Sequence, residues 1–358
     1  MFKDDLRVAI FTNSTIVKLE TFARGLSFDV GHLVSEVLWW GAVIAIALVF
    51  AGYSAPSIQI TNPRCGVLAL LDGSGYKPYA YRVLTTWLLQ AMAGIGLSVT
   101  DGMFTIVGTS LVGCVVAFRY LISSFDGYRA RSAVIAPLLV VVIAALQVSF
   151  PYTMVYDMPT LALFIMSYAL MTRQRWSWYM VAFALACLSK ETSALLVIGF
   201  AAMYLRKMSW RNYIALGAAQ FVIWCAVHGG LAWLFRDAPG AEMETYWAQH
   251  LIAVQRLPLV IVIYGALVIA LLVAIFNKWK SKPVALRWLF VSIAPIIGAL
   301  YVVGGTPFEL RVFFEIAPIA LVLCFVPAGA EAGVFPASLL TSPRGGDELT
   351  TQHAPQPD

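Results

Sequence analysis

The sequence predicts an all-α, polytopic transmembrane protein of about ten spanning helices, with a long first external loop that contains surface helices. Three observations predict it. Of the 358 residues, 60% are hydrophobic and only 12% are charged, and the mean hydropathy is +0.80; a soluble domain carries roughly a quarter charged residues. Apolar runs recur near the length of about 20 residues that crosses some 30 Å of hydrocarbon. The run from Leu259 to Phe276 holds no charged or amide side chain, whereas a closed barrel alternates apolar and polar positions along short strands.

In chain order the apolar segments fall at 35–55, 103–121, 133–150, 158–171, 176–189, 193–205, 212–235, 258–276, 285–303 and 313–327. An eleventh, 79–97, contains Arg82 and Gln90 and follows Lys77-Pro78, so it reads either as a span or as an amphipathic helix lying on the surface. Short loops rich in Lys and Arg stay cytoplasmic, and this decides between the two. With 79–97 on the outer surface, the cytoplasmic side receives 17 of the 24 basic residues, including the clusters Arg119/Arg129/Arg131, Arg173/Arg175, Arg206/Lys207/Arg211 and Lys278/Lys280/Lys282/Arg287. If 79–97 spans, every later cluster moves outside. The expected organisation is therefore a cytoplasmic segment 1–34, a transmembrane domain 35–327 and a cytoplasmic tail 328–358. The Pro, Gly, Ser and Thr content of that tail predicts disorder. One long external loop covers 56–102, and shorter external turns lie near 150–158, 189–193, 236–257 and 304–312.

The net charge of +5 comes from short basic clusters between apolar runs, which topology explains better than a nucleic-acid partner does. Five cysteines, odd in number and widely spaced, predict neither a disulfide framework nor a metal site. Residues 1–34 carry charges throughout and lack the short apolar core of a cleavable signal peptide.

Four charged groups fall on the expected outer face. The first is the glycine-rich turn from Leu71 to Arg82, with Asp72, Lys77, Arg82 and three tyrosines; capping by Asp72 and snorkelling by the two bases is its plain structural use. The second is Tyr156-Asp157-Met158-Pro159, which also fits a helix N-cap with proline in the first turn. The third is Ser189-Lys190-Glu191-Thr192, a charged pair in a very short connection that either neutralises itself or serves a site. The fourth is Glu309-Leu310-Arg311, with Glu315 beyond, where Arg311 has an acid on either side. His228 lies on an apolar helix and His250 in a loop without a spaced partner, so neither supports a metal.

At these residues the sequence resembles the GT-C superfamily of polytopic glycosyltransferases, which includes protein O-mannosyltransferases and the aminoarabinose transferases that modify lipid A. Asp72 and Lys77-Pro78 match the catalytic Asp and Lys-Pro motif of that superfamily's first external loop. Asp157 occupies the place of a further Asp, and Ser189-Lys190-Glu191 looks like the lysine-containing turn two helices later. The resemblance covers roughly 35–205, with weaker support at 304–315. The chain lacks the soluble C-terminal domain of the larger members and has a single Asp where some show an acidic pair.

The resemblance implies an inverting membrane glycosyltransferase that takes sugar from a polyprenyl-phosphate donor in the bilayer and passes it to a glycan, lipid or protein acceptor. It places the protein in the inner (plasma) membrane with the site facing the periplasm or exterior, while the distribution of Lys and Arg puts both termini in the cytoplasm. Asp72 is then the catalytic base. Lys77, Arg82, Asp157, Lys190, Glu191, Glu309 and Arg311 bind substrate, the cations steadying the leaving phosphate. No cofactor is expected, and a divalent metal is left open. Two other classes fit the same charges: a transporter or flippase of lipid-linked saccharide, which normally places its polar groups near the membrane midplane, and a non-catalytic relative.

Overall fold

The chain was analysed as a computed structural model, which describes residues 30–125, 132–148, 154–241 and 244–325. Every regular element among these residues is helical, with no strand. The predicted tail 328–358, nearly all of the N-terminal segment, Arg129, Arg131 and residues 151–153 of the second external turn lie outside the described residues.

Residues 1–46 and 47–358 form two units. The described part of the first is the N-terminal portion of α1 (Val30–Ser54), an unbroken apolar helix. The second unit contains the rest of α1, then α2 (Val67–Leu71), α3 (Val83–Gly94), α4 (Val99–Ile122), α5 (Ser132–Ile135), α6 (Leu138–Val148), α7 (Asp157–Thr172), α8 (Trp176–Ser189), α9 (Ala194–Tyr204), α10 (Trp210–Leu234), α11 (Trp247–Arg256), α12 (Pro258–Phe276), α13 (Val284–Gly304) and α14 (Ala317–Phe325).

Five helices are long and apolar enough to cross a membrane: Val34–Ser54, Val99–Ile122, Trp210–Leu234, Pro258–Phe276 and Val284–Gly304. Burial divides them. Within its most apolar stretch α4 is 56% buried, whereas α12 is 6% and α10 11% buried. A helix that is apolar all round and packed on so little protein presents its side chains to an apolar surrounding. The remaining apolar helices are shorter. Residues 157–172, 176–189 and 191–204 give 14 to 16 residues each, about 21–24 Å at 1.5 Å per residue. These are the interior ones: α7 lies between α4 and α8, and α9 packs along α13 and α10. Met158, Leu161, Phe164, Ile165 and Tyr168 of α7 are all buried.

The segment 79–97 is a 3₁₀ turn, Tyr79–Tyr81, followed by the 12-residue α3. That helix is about 18 Å long, well short of the hydrocarbon thickness. It ends before α4, whose start is fixed by its N-cap Ser98: the hydroxyl accepts from the Asp101 N–H at 3.1 Å and donates to the Asp101 carboxylate at 2.6 Å.

Candidate functional site: a buried ion-pair network

α7 opens on Asp157, because the chain enters it through a tight turn at Met154–Tyr156. The Asp157 carboxylate accepts from the Met154 N–H at 3.2 Å. α8 stops at Ser189, since Lys190 adopts an extended backbone (φ −163°, ψ 142°) before a 3₁₀ turn at Glu191–Ser193 starts the next helix. One extended residue between two helical ones sends consecutive side chains in different directions. Lys190 reaches Glu315 at 2.6 Å, and Glu191 reaches Arg82 at 2.5 Å. The sequence left open a Lys190–Glu191 pair that neutralises itself; each residue instead pairs with a remote partner.

Arg82 grips Glu191 with two donors, Nη2 to Oε1 and Nε to Oε2 at 3.3 Å. Its guanidinium also lies over two rings, 4.5 Å from the Tyr156 centroid and 5.1 Å from that of Tyr79. Arg311 sits in a 3₁₀ turn, Leu310–Phe313. It donates through Nη1 to Asp157 at 2.8 Å and through Nη2 to Glu309 at 2.6 Å. Glu309 is held in turn by the Thr306 N–H and hydroxyl, both at 2.9 Å. Glu315, which the sequence offers as a second partner for Arg311, takes Lys190 and the Thr192 hydroxyl (3.1 Å).

Six of the eight residues singled out in the sequence, Arg82, Asp157, Lys190, Glu191, Glu309 and Arg311, thus fall in a network of three adjoining ion-pair groups drawn from four chain segments. These are Arg82 with Glu191, Lys190 with Glu315, and Arg311 with Asp157 and Glu309. Lys190 and Glu191 are consecutive, and Tyr156 lies close to both Arg82 and Arg311. Arg82, Asp157 and Glu315 are buried. Burial alone would raise the Glu191 carboxyl, but the Arg82 charge and its hydrogen bonds hold it below its ordinary value. Burial likewise disfavours charge on Arg82, and Glu191 overrides it, keeping the guanidinium firmly protonated. The network holds three cations and four carboxylates. The Tyr156 hydroxyl at its centre is buried with no hydrogen-bond partner among the described residues.

Sequence reading missed Glu244. Its carboxylate accepts from the hydroxyls of Tyr79 (3.1 Å) and Tyr246, and pairs with Arg64 at 3.7 Å. It lies in the predicted external turn 236–257, but a lone acid in a loop gives no periodic or motif signal. Cys65 shares this neighbourhood; burial pushes its thiol up against the opposing pull of Arg311 and Arg82, so it remains a thiol and a poor nucleophile.

Asp72 and Lys77 stand outside the network. Asp72 caps α2 and is exposed. Hydrogen bonds from Ser74, whose N–H lies 2.9 Å away, hold its carboxyl below the usual range. Gly73 follows at φ +79°, a left-handed turn suited to glycine. Asp72 edges a hollow of about 200 Å³ that includes Ala80, Val83, Trp87, Gln90 and Phe235. Arg82 lies between Ala80 and Val83 in sequence, so a single turn forms the wall of this hollow and supplies a cation to the buried network. Lys77 donates to the Arg236 carbonyl at 2.9 Å, and its N–H donates to the Pro239 carbonyl at 2.8 Å, tying the 236–240 segment to the first loop.

No group of three or more His, Cys, Asp or Glu side chains is placed to hold a metal ion among the described residues. His250 Nε2 lies 2.9 Å from the Gly305 carbonyl oxygen and 3.2 Å from that of Tyr301. Against family models, curated proteins and solved structures, the chain matches none.

Proposed function

We propose that the protein is a membrane glycosyltransferase that takes a sugar from a polyprenyl-phosphate donor at the non-cytoplasmic face of the inner membrane. On this reading the chain spans the bilayer about ten times, the region 56–102 is external, and the buried network with its adjoining hollow is the reaction site. The observation that carries the reading is the convergence of six charged residues, remote in sequence, into adjoining ion pairs within a bundle of apolar helices. Desolvating ions is expensive, and replacing a buried ion pair by apolar side chains is often neutral or stabilising. Stability alone is therefore a weak reason for such a cluster.

A donor phosphate approaches with its lipid in the membrane and competes with the carboxylates for Arg82 or Arg311. Either guanidinium matches two phosphate oxygens at once. The buried Tyr156 hydroxyl supplies one more donor once an acceptor oxygen is present. Asp157, Glu191 and Glu309 hold the arginines in place, so the positive charge is already oriented when the leaving phosphate becomes more negative. Asp72 is the carboxylate exposed to an incoming hydroxyl, at the rim of a hollow whose Trp87 and Phe235 offer apolar faces to a sugar. As the base it orients the acceptor and takes its proton; the Ser74 hydrogen bonds that keep it ionised also weaken it, so it gains strength as a base when the acceptor displaces them.

The test is the purified protein in lipid, incubated with a panel of polyprenyl-phosphate sugars. Release of polyprenyl phosphate with transfer of sugar supports the proposal, and Asp72→Asn is expected to abolish it while leaving expression and insertion intact. Passage of the intact donor across the bilayer without cleavage would identify a conduit instead.

A further inference from the structure

A second hollow, of about 500 Å³, lies at the other ends of α7, α8 and α9, where α8 begins and where α9 turns into α10. Its base is aromatic. Trp176 meets Tyr204 edge-on at 5.0 Å and Phe200 at 5.8 Å, and the Tyr204 hydroxyl is taken up by the Met171 carbonyl at 2.6 Å. Its rim is polar, with Gln174, Lys207, Ser209 and Asn212. Ser209 is the N-cap of the 25-residue α10 and accepts from the Asn212 N–H.

The two chain segments that form this end are basic in sequence. Segments 172–176 and 205–212 contain five basic side chains (Arg173, Arg175, Arg206, Lys207 and Arg211) and no acidic one. Burial and, to a lesser degree, the nearby Arg287 of α13 push the Lys207 ammonium below the usual lysine value.

The surface leading away from the hollow is apolar. Ala215 and Leu216 of α10 form part of its wall, and beyond them Ile214, Phe221 and Val222 are exposed. Trp178 and Trp210 are also exposed at this end, the placement of tryptophans at a membrane–water boundary. A cationic rim over an aromatic base, opening onto an apolar helix face, suits a ligand with a phosphate at one end and acyl chains at the other.

We infer that this hollow binds the phosphate headgroup of an anionic phospholipid. Lys207 and Asn212 donate to the phosphate, the Ser209 turn sits beside it, Trp176 lies under the glycerol and the acyl chains run along α10. The site stands apart from the transferase reading and uses none of its residues.

The test is native mass spectrometry of the full-length, delipidated protein titrated with phosphatidylglycerol, phosphatidylcholine or inorganic phosphate. One equivalent of phosphatidylglycerol should bind in preference to phosphatidylcholine. Lys207→Gln should weaken it by roughly tenfold or more, the scale of one charge-assisted hydrogen bond. Asn212→Ala, which keeps the charge, should also weaken it and gives the readout if Lys207→Gln does not fold. Arg206→Gln, outside the lining, should bind as the unaltered protein does. Equal binding of the two lipids, or loss in Arg206→Gln matching that in Lys207→Gln, would overturn the site. Inorganic phosphate competing at concentrations near those of the lipid would overturn the lipid assignment.

Discussion

Arg82 concentrates the site's chemistry in one side chain: two donors on Glu191 and two aromatic faces beside a fixed guanidinium. Lysine would keep the charge and lose the fork. Arg82→Lys is expected to lower sugar transfer by about 10²–10³-fold, the cost of removing one oriented donor to developing charge, measured as kcat in the lipid assay. Glu191 offers a separate handle through pH. Its folded pKa lies below its unfolded value near 4.5, so its pairing stabilises the fold above that pH and ceases to do so as pH falls through the depressed value. The difference in unfolding midpoint between the unaltered protein and Glu191→Gln should therefore stay constant from neutral pH down to about 5 and shrink at more acid values. An unchanging difference at every pH would show that Glu191 acts by packing alone.

At the scale of elements, short connections do the positioning. The extended backbone at Lys190 splits two adjacent charges, and the 3₁₀ turn at Leu310–Phe313 keeps Arg311 from lining up with Glu315 as it would on an α-helix. These two turns explain what the sequence conveyed and what it did not. The long apolar helices were legible because each runs 19 to 25 residues with no more than two charged side chains. The residues of the network were legible because ionisable groups at the ends of apolar runs stand out. Their partners were not, since pairing depends on the φ and ψ of single residues between helices, and Glu244 carried no pattern at all. The strap from Arg236 to Gly240 gives a test at this level. Gly240 has φ +92°, and a Cβ there would lie 3.0 Å from the Lys77 carbonyl oxygen and 3.2 Å from Tyr76 Cβ. Gly240→Val should destabilise the protein by about 1–3 kcal/mol and loosen the first loop, read as a lower unfolding midpoint and faster proteolysis near residues 72–78.

For the whole molecule, the short interior helices α7, α8 and α9 place one set of ends at the ion-pair network and the other at the basic hollow. The reading proposed above assigns those ends to opposite faces of the bilayer, the network outward and the basic hollow inward, as the distribution of Lys and Arg predicts. That arrangement is the physical core of the account, because a lipid-borne phosphate reaches the network only if its residues share a face. It can be measured by placing single cysteines at positions 72, 244, 309 and 206 of a variant with the five native cysteines replaced, then labelling intact cells with a membrane-impermeant thiol reagent. Positions 72, 244 and 309 should label from outside, and position 206 only after the membrane is opened. Labelling that splits 72 from 244 and 309, or that places 206 on their side, would contradict the account.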